Sequence, residues 1–243
     1  MQVFGSRRAP WRALQALIAV SVGLALPALG KDKARKVDAI WVHPHYDSLA
    51  VRSIALLPAA SFDNSHENEK IVENLFGQAL RPSGYRWVSP LVAKELIKPA
   101  LSETALAAID RDLLKLGRID SLSAPKLCRA LRTEAVMGVR IDLFERIQLE
   151  WNQAGKPSTT VQVRAALVDS AGRLLWSVSG SETADGTYRD PNSGILGVKG
   201  SGLNTQPVNT GESGAPSYEE VTTRLFARWM QHFPARKAPG AKP

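Results

Sequence analysis

The side chains best spaced to do chemistry stand near residue 45. His43-Pro44-His45-Tyr46-Asp47 follows the apolar Ile40-Trp41-Val42 and sets two imidazoles and a carboxylate at alternating positions. On an extended backbone alternate side chains share one side, so His43, His45 and Asp47 would converge. Nitrogen and carboxylate donors of this kind can hold Zn²⁺, and an open coordination position would let the metal activate water for hydrolysis. The set is short of ligands: Ser48 comes next, and the only other histidines are His66 and His232. The competing reading is a polar segment leading into the first strand, and on that reading no stoichiometric metal is expected. No cofactor is expected either.

Other patterns that support catalysis break at a defining residue. Gly211-Glu212-Ser213-Gly214-Ala215 has Ala where a nucleophile elbow needs its second glycine. Gly194, Gly197, Gly200 and Gly202 follow no strand and lead to no Gly-Lys-Ser/Thr, so they match neither a dinucleotide fingerprint nor a phosphate loop. Asp110 with Asp112, and Glu219 with Glu220, fall on helical stretches, where a solvated face explains them. Cys128 lies near Leu127 and Leu131, the position of a buried, inert thiol. No catalytic residue is assigned, and the chain is expected not to be an enzyme.

The elements that would carry these residues can be read from hydrophobic periods. Ser53-Ile54-Ala55-Leu56-Leu57-Pro58 is a short apolar run ended by a turn, which predicts a buried first strand. Asn64 with Glu67 resembles a capping box, and Ile71, Val72, Leu75, Phe76 and Ala79 recur at helical spacing until Arg81-Pro82-Ser83-Gly84. Tyr85 to Val88 predicts a second strand, and Ser89-Pro90 starts a helix over Leu91 to Ile97. Leu106, Ile109, Leu113 and Leu114 mark a further helix closing near Gly117, and Ser123 to Arg132 another.

The period then changes to two. Val139, Ile141 and Leu143 alternate with Arg140 and Asp142, and Val161, Val163 and Leu167 alternate with polar neighbours, as half-buried strands require. Asn152 to Ser158 joins these two, and Asp169-Ser170-Ala171-Gly172 turns into Leu174 to Ser179, giving an antiparallel meander. Ser217 with Glu220 caps a last helix that carries Tyr218, Val221, Leu225 and Trp229 on one stripe, widened by Phe226, Met230 and Phe233. The expected fold is α/β: a mixed sheet of about five strands, a βαβ first half, a helical middle, the meander and a packed C-terminal helix.

The beginning of the chain points to export. Arg7, Arg8 and Arg12 form a basic start, Ala16 to Leu26 is apolar apart from Ser21 and Gly23, and Pro27-Ala28-Leu29-Gly30 ends in small residues. Residues 1–30 read as a cleavable signal with the mature chain beginning at Lys31 or Leu29. A retained anchor is the alternative, because Ala13 to Gly30 is uncharged and a span needs about 20 apolar residues. The only cysteine stands far downstream, so neither a lipid anchor nor an internal disulfide is expected. Less the three signal arginines, the whole-chain net charge of +8 becomes about +5. Outside the cytoplasm such a charge meets lipid headgroups and wall polymers, not nucleic acid. Residues 31–50 form an N-terminal extended segment, 51–233 a single domain and 234–243 a disordered tail.

Residues 184–217 hold seven glycines and show no period. A loop of that length is either a linker or functional. Tyr188, Ile195, Leu196, Val198 and Leu203 are more apolar side chains than a spacer needs, which makes them candidate partner-binding residues.

Several stretches carry a family resemblance. Ser53 to Pro58, the passage Leu127-Cys128-Arg129-Ala130-Leu131-Arg132-Thr133-Glu134-Ala135-Val136-Met137-Gly138, and Ala166 to Trp176 resemble bacterial envelope proteins related to the TolB amino-terminal domain and curli-secretion lipoproteins. With Asn192-Ser193-Gly194-Ile195-Leu196-Gly197 before a last helix, the chain is most similar to a family of lipoproteins of unknown function. The resemblance spans about residues 50 to 233 and departs from the family in lacking the lipid-site cysteine. It implies a non-enzymatic component of envelope assembly or transport that works through protein partners, with self-association and peripheral membrane contact open. The alternative is a periplasmic metal-binding protein or metal-dependent hydrolase using His43, His45 and Asp47.

Overall fold

The computed structural model describes residues 38–49, 51–150, 153–187, 214–234 and 236. The expected signal segment lies outside them. In chain order the elements are β1 (Ala39–Val42), a 3-10 turn at Tyr46–Ser48, β2 (Ser53–Leu56), β3 (Ala60–Ser61) and α1 (His66–Leu80). There follow a second 3-10 turn, β4 (Arg86–Val88), α2 (Pro90–Ile97), α3 (Glu103–Leu116), α4 (Ala124–Leu131), β5 (Ala135–Ile147), β6 (Ser158–Asp169), β7 (Leu174–Asp185) and α5 (Tyr218–Met230).

One mixed sheet runs in the order β1-β7-β6-β5-β2-β4, with β3 added alongside β5. β2 lies parallel to both β4 and β5, while β5, β6 and β7 form the antiparallel meander. The α/β class, the βαβ first half, the meander and the packed last helix all appear as the periods predict. The strand count does not: the sheet has seven strands instead of about five. The additional strands are β1, with four residues, and β3, with two. Elements so short carry no period of their own and form because a neighbour offers an edge. β1 pairs with β7, so the expected N-terminal extension supplies an edge strand to the sheet.

Two crossovers divide the helices between the faces. β2 connects through α1 to β4, and β4 returns through α2, α3 and α4 to β5. α1 and α5 cover one face, where Ile54, Leu56, Met137, Val163, Trp176, Phe226 and Trp229 pack together. On the opposite face α2, α3 and α4 enclose Ala55, Leu57, Val136, Leu127 and Leu131. Because β2 and the start of β5 are buried on both faces, they read as continuous apolar runs, the usual pattern of parallel strands under helices. Edge-to-face aromatic pairs tie the first face: Phe76 to Phe226 and Trp176 to Phe233, each with ring centroids 4.9 Å apart.

Helix starts follow serine caps. Ser65, Ser89, Ser102 and Ser217 each accept the amide of the third residue on. At α1 this corrects the expected Asn64–Glu67 box: Asn64 instead takes a left-handed turn with φ 50°, and Ser65 is the cap. At α5 Ser217 caps as expected, but the Glu220 carboxylate pairs with Arg224 one turn on. Gly117 closes α3 with φ 66°, and Gly172 with φ 79° makes the β6–β7 turn, where Asp169 Oδ1 accepts the amides of Ala171 and Arg173.

The expected half-buried alternation in β5 fails at Arg140, which is 5% exposed. Its Nη1 donates to the Leu114 carbonyl at 2.7 Å, and its Nε to Asp142 at 2.6 Å. Arg164 donates to the other Asp142 oxygen at 2.6 Å. A guanidinium beside the last carbonyls of α3 complements that end of the helix dipole, and a residue type that suggests solvent is instead enclosed by α3. β7 also runs further than Ser179, to Asp185, which shortens the expected loop.

Candidate functional site

The histidine cluster does not assemble as an extended strand would present it. β1 ends at Val42, and the chain turns at Pro44-His45 into the 3-10 turn, so the alternation that would align His43, His45 and Asp47 is lost. The amide of His43 donates to the Leu175 carbonyl at 2.8 Å, and its ring Nδ1 accepts the His45 amide at 3.1 Å. The turn exists to bury Tyr46, whose hydroxyl is 2.9 Å from that of Tyr85, which in turn donates to the Pro234 carbonyl at 2.6 Å. Burial, the largest cause, and the tyrosine pairing push the Tyr46 hydroxyl pKa upward. Among the described residues no three His, Cys, Asp or Glu side chains group closely enough to hold a metal ion. His66 is committed to Glu69 at 2.9 Å. Cys128 is buried, and burial pushes its thiol up to about 12, the reverse of what a nucleophile needs.

The candidate partner residues Tyr188, Ile195, Leu196, Val198 and Leu203 lie outside the described residues. The stems of their loop are well defined. The Gly186 amide donates to the Pro157 carbonyl at 2.7 Å, and its backbone lies against the Gly214 carbonyl. Thr159 Oγ1 donates to the Pro216 carbonyl at 2.5 Å, Arg146 to that of Ala215, and Ala215 is itself buried. The loop therefore leaves and re-enters at one point, at the far end of the meander from the β6–β7 turn.

A site that the sequence did not signal opens at the carboxyl end of β2. Here successive crossovers depart to opposite faces of the sheet, and strand ends at such a switch point leave a crevice. The crevice has a volume of about 310 Å³. Leu57, Ile97, Ile109, Leu113 and Leu127 form its apolar wall, and Glu69, Lys94, Lys98 and Asp110 stand round it. Lys98 pairs with Glu95 at 3.3 Å. Lys94 and Asp110 make neither a hydrogen bond nor a close ion pair with another described residue. Although Asp110 is exposed at the rim, desolvation by the wall beneath it raises its pKa, with Lys94 opposing and Glu69 adding to the shift. On the sequence Asp110 and Asp112 are two carboxylates of a solvated helix face; only the tertiary structure, which sets α2 and α3 round one crevice, distinguishes Asp110.

A second buried ionic cluster joins the first described residue to the last helix. Arg228 on α5 donates through Nε and Nη2 to the Asp38 carboxylate, through Nη1 to Glu182, and from Nη2 to the Ser181 carbonyl at 3.1 Å. Burial alone would raise the Asp38 pKa, but the hydrogen bonds and charge of Arg228, with the Trp229 indole alongside, outweigh it, so the carboxyl is held below its usual value. The cluster has the geometry of a clamp fixing the start of β1.

No helix among the described residues is long and apolar enough to cross a membrane. No family model and no curated protein matches the chain. Solved structures of similar fold include lipoprotein GNA1162 from Neisseria meningitidis, at 21% identity and TM-score 0.40 over 60% of this chain and 90% of that one. PelC from Paraburkholderia phytofirmans, solved as a dodecamer, is 15% identical with TM-score 0.42 over 83% of this chain and 99% of that one. The hypothetical protein CT253 from Chlamydia trachomatis is 16% identical with TM-score 0.38 over 75% and 95%.

Proposed function

We propose that the chain is an exported, non-enzymatic component of the bacterial cell envelope, structural or transport-associated, that acts by binding protein partners. The export half of this reading is supported by the basic start, apolar run and small-residue end of residues 1–30. The kinship with TolB amino-terminal and curli-secretion lipoproteins belongs to the same proposal.

The observation that carries the binding half is the closure of the loop stems. The packed sheet holds Gly186 against Gly214, so both stems of the segment that carries Tyr188, Ile195, Leu196, Val198 and Leu203 are fixed at one place on the scaffold. Binding residues on a loop positioned by a stable framework are the common arrangement for recognition.

The test is a variant in which a short Gly-Ser bridge replaces residues 188–213, leaving both stems intact. The expected outcome is an unchanged melting temperature together with loss of cross-links to envelope proteins in native membranes and periplasm. Cross-links that survive the replacement would refute the loop as the partner surface. An uncleaved chain in the inner membrane, found by amino-terminal sequencing, would refute the soluble exported form.

A further inference from the structure

We propose that the crevice at the carboxyl end of β2 is a peptide-anchoring site, taking one large apolar side chain of a protein partner while Lys94 and Asp110 serve that residue's backbone carbonyl and N–H. The inference rests on the partner-binding reading above and gives it a second, separate contact.

Three properties select this occupant. The crevice of about 310 Å³ is at the small end of ligand sites, which suits one side chain better than an extended ligand. Its wall is apolar, so burying a leucine- or phenylalanine-sized group there gains hydrophobic free energy. Its rim carries opposite charges, Lys94 on α2 and Asp110 on α3, exposed and within electrostatic reach of each other, and neither side chain makes a hydrogen bond or close ion pair with another described residue.

The rim argues against simpler ligands. An anionic amphiphile would meet Asp110 and Glu69, and a cationic one Lys94 and Lys98. A plain hydrocarbon chain would shield Lys94 and Asp110 from water and give them no partner, which costs free energy. A peptide group presents one acceptor and one donor on the same residue and satisfies both. α2, which supplies Lys94 to the rim, also exposes Leu91, Val92 and Leu96.

The experiment uses the mature protein with ¹³C-labelled Ile and Leu methyl groups and follows Ile97, Ile109 and Leu113 by NMR. The probes are N-acetyl-leucine methylamide and N-acetyl-phenylalanine methylamide, with N-acetyl-glycine methylamide, hexanoate and hexylammonium for comparison. Saturable shifts at these methyls with the leucine or phenylalanine probe, and none with the glycine probe, are expected. Lys94→Met and Asp110→Ala should each weaken binding about two- to tenfold, the range of one hydrogen bond, with melting unchanged. Hexanoate or hexylammonium binding as tightly as the amides would overturn the proposal, as would no saturable shift in the folded protein. If the methyls shift as expected while the loop-replaced protein keeps every cross-link, the loop reading fails and the crevice stands. If the methyls stay still while the cross-links vanish, the reverse holds.

Discussion

The two halves of the sheet solve the burial problem differently. β4, β2 and the start of β5 are parallel and lie between helices on both faces, whereas β6, β7 and β1 are antiparallel, with α5 on one face and only the β6–β7 turn end meeting α4 on the other. In the second half Ser177, Ser179, Ser181 and Thr183 point away from α5 with Gln162 and Arg164 and remain half-buried or exposed. The difference follows from connectivity. Parallel neighbours need crossovers, crossovers bring helices, and helices departing to opposite faces leave a crevice; antiparallel neighbours need only turns and leave a face open. The candidate crevice thus belongs to the parallel half and the loop stems to the antiparallel one.

The strongest way to break this division is to attack what the halves share. Phe226 on α5 packs edge to face on Phe76 of α1 and is 1% exposed. Phe226→Ala should cost about 3 to 5 kcal/mol of stability in urea unfolding, in a single transition. Two separated transitions would show that the halves unfold independently.

The clamp between α5 and β1 comes next. Removing Arg228 takes the guanidinium away from Glu182, whose side chain is 1% exposed, and from Asp38, at 9%. Arg228→Met should cost about 3 kcal/mol, the scale of breaking a buried ion pair. The sign with pH follows from Asp38. Its folded pKa lies below the ordinary aspartate value, so its contribution is present above that value and is lost as pH falls through the lower folded one. Acidification from pH 5 to about pH 2 should therefore erode the parent more than Arg228→Met. Equal acid slopes in the two proteins would contradict the clamp.

A smaller effect tests how Asp38 reaches its place. A Cβ at Gly180 would overlap the Asp38 carboxylate and stand 3.3 Å from the Trp229 indole nitrogen. Gly180→Ala should cost about 1 to 3 kcal/mol by overpacking, and much of that should be recovered in an Asp38→Ala background. Additive costs in the double-mutant cycle would mean the two residues do not meet.

The smallest effect belongs to the open face. Ser179→Thr, on the side away from α5, should change stability by no more than about 0.5 kcal/mol. A larger loss would reveal that this face is covered by something the described residues do not include.

Where segments are long and one-sided, local pattern was sufficient. The stripes of α1, α3 and α5, the proline starts of α2 and α4, the Gly117 stop and the Asp169–Gly172 turn were all legible, because caps, periods and turn chemistry act within a few residues. So was the alternation of β6 as far as Arg164, beyond which Ala165 to Asp169 are all buried. Other features are decided by partners far along the chain. β1 and β3 are strands because an edge is offered to them, and Arg140 is buried because α3 ends above it. His43 and His45 keep their ring centroids 6.0 Å apart but form no three-ligand group with Asp47, because the chain turns there to bury Tyr46 against Tyr85, thirty-nine residues away. Asp110 becomes distinct from Asp112 because the fold sets it on a crevice shared with α2 and the carboxyl end of β2. The sequence by itself determined which segments are helix or strand and which faces are apolar, since these depend on neighbours three or four residues apart. Only the tertiary structure decided which polar groups share a site, since a crevice at a switch point exists only after both crossovers have closed.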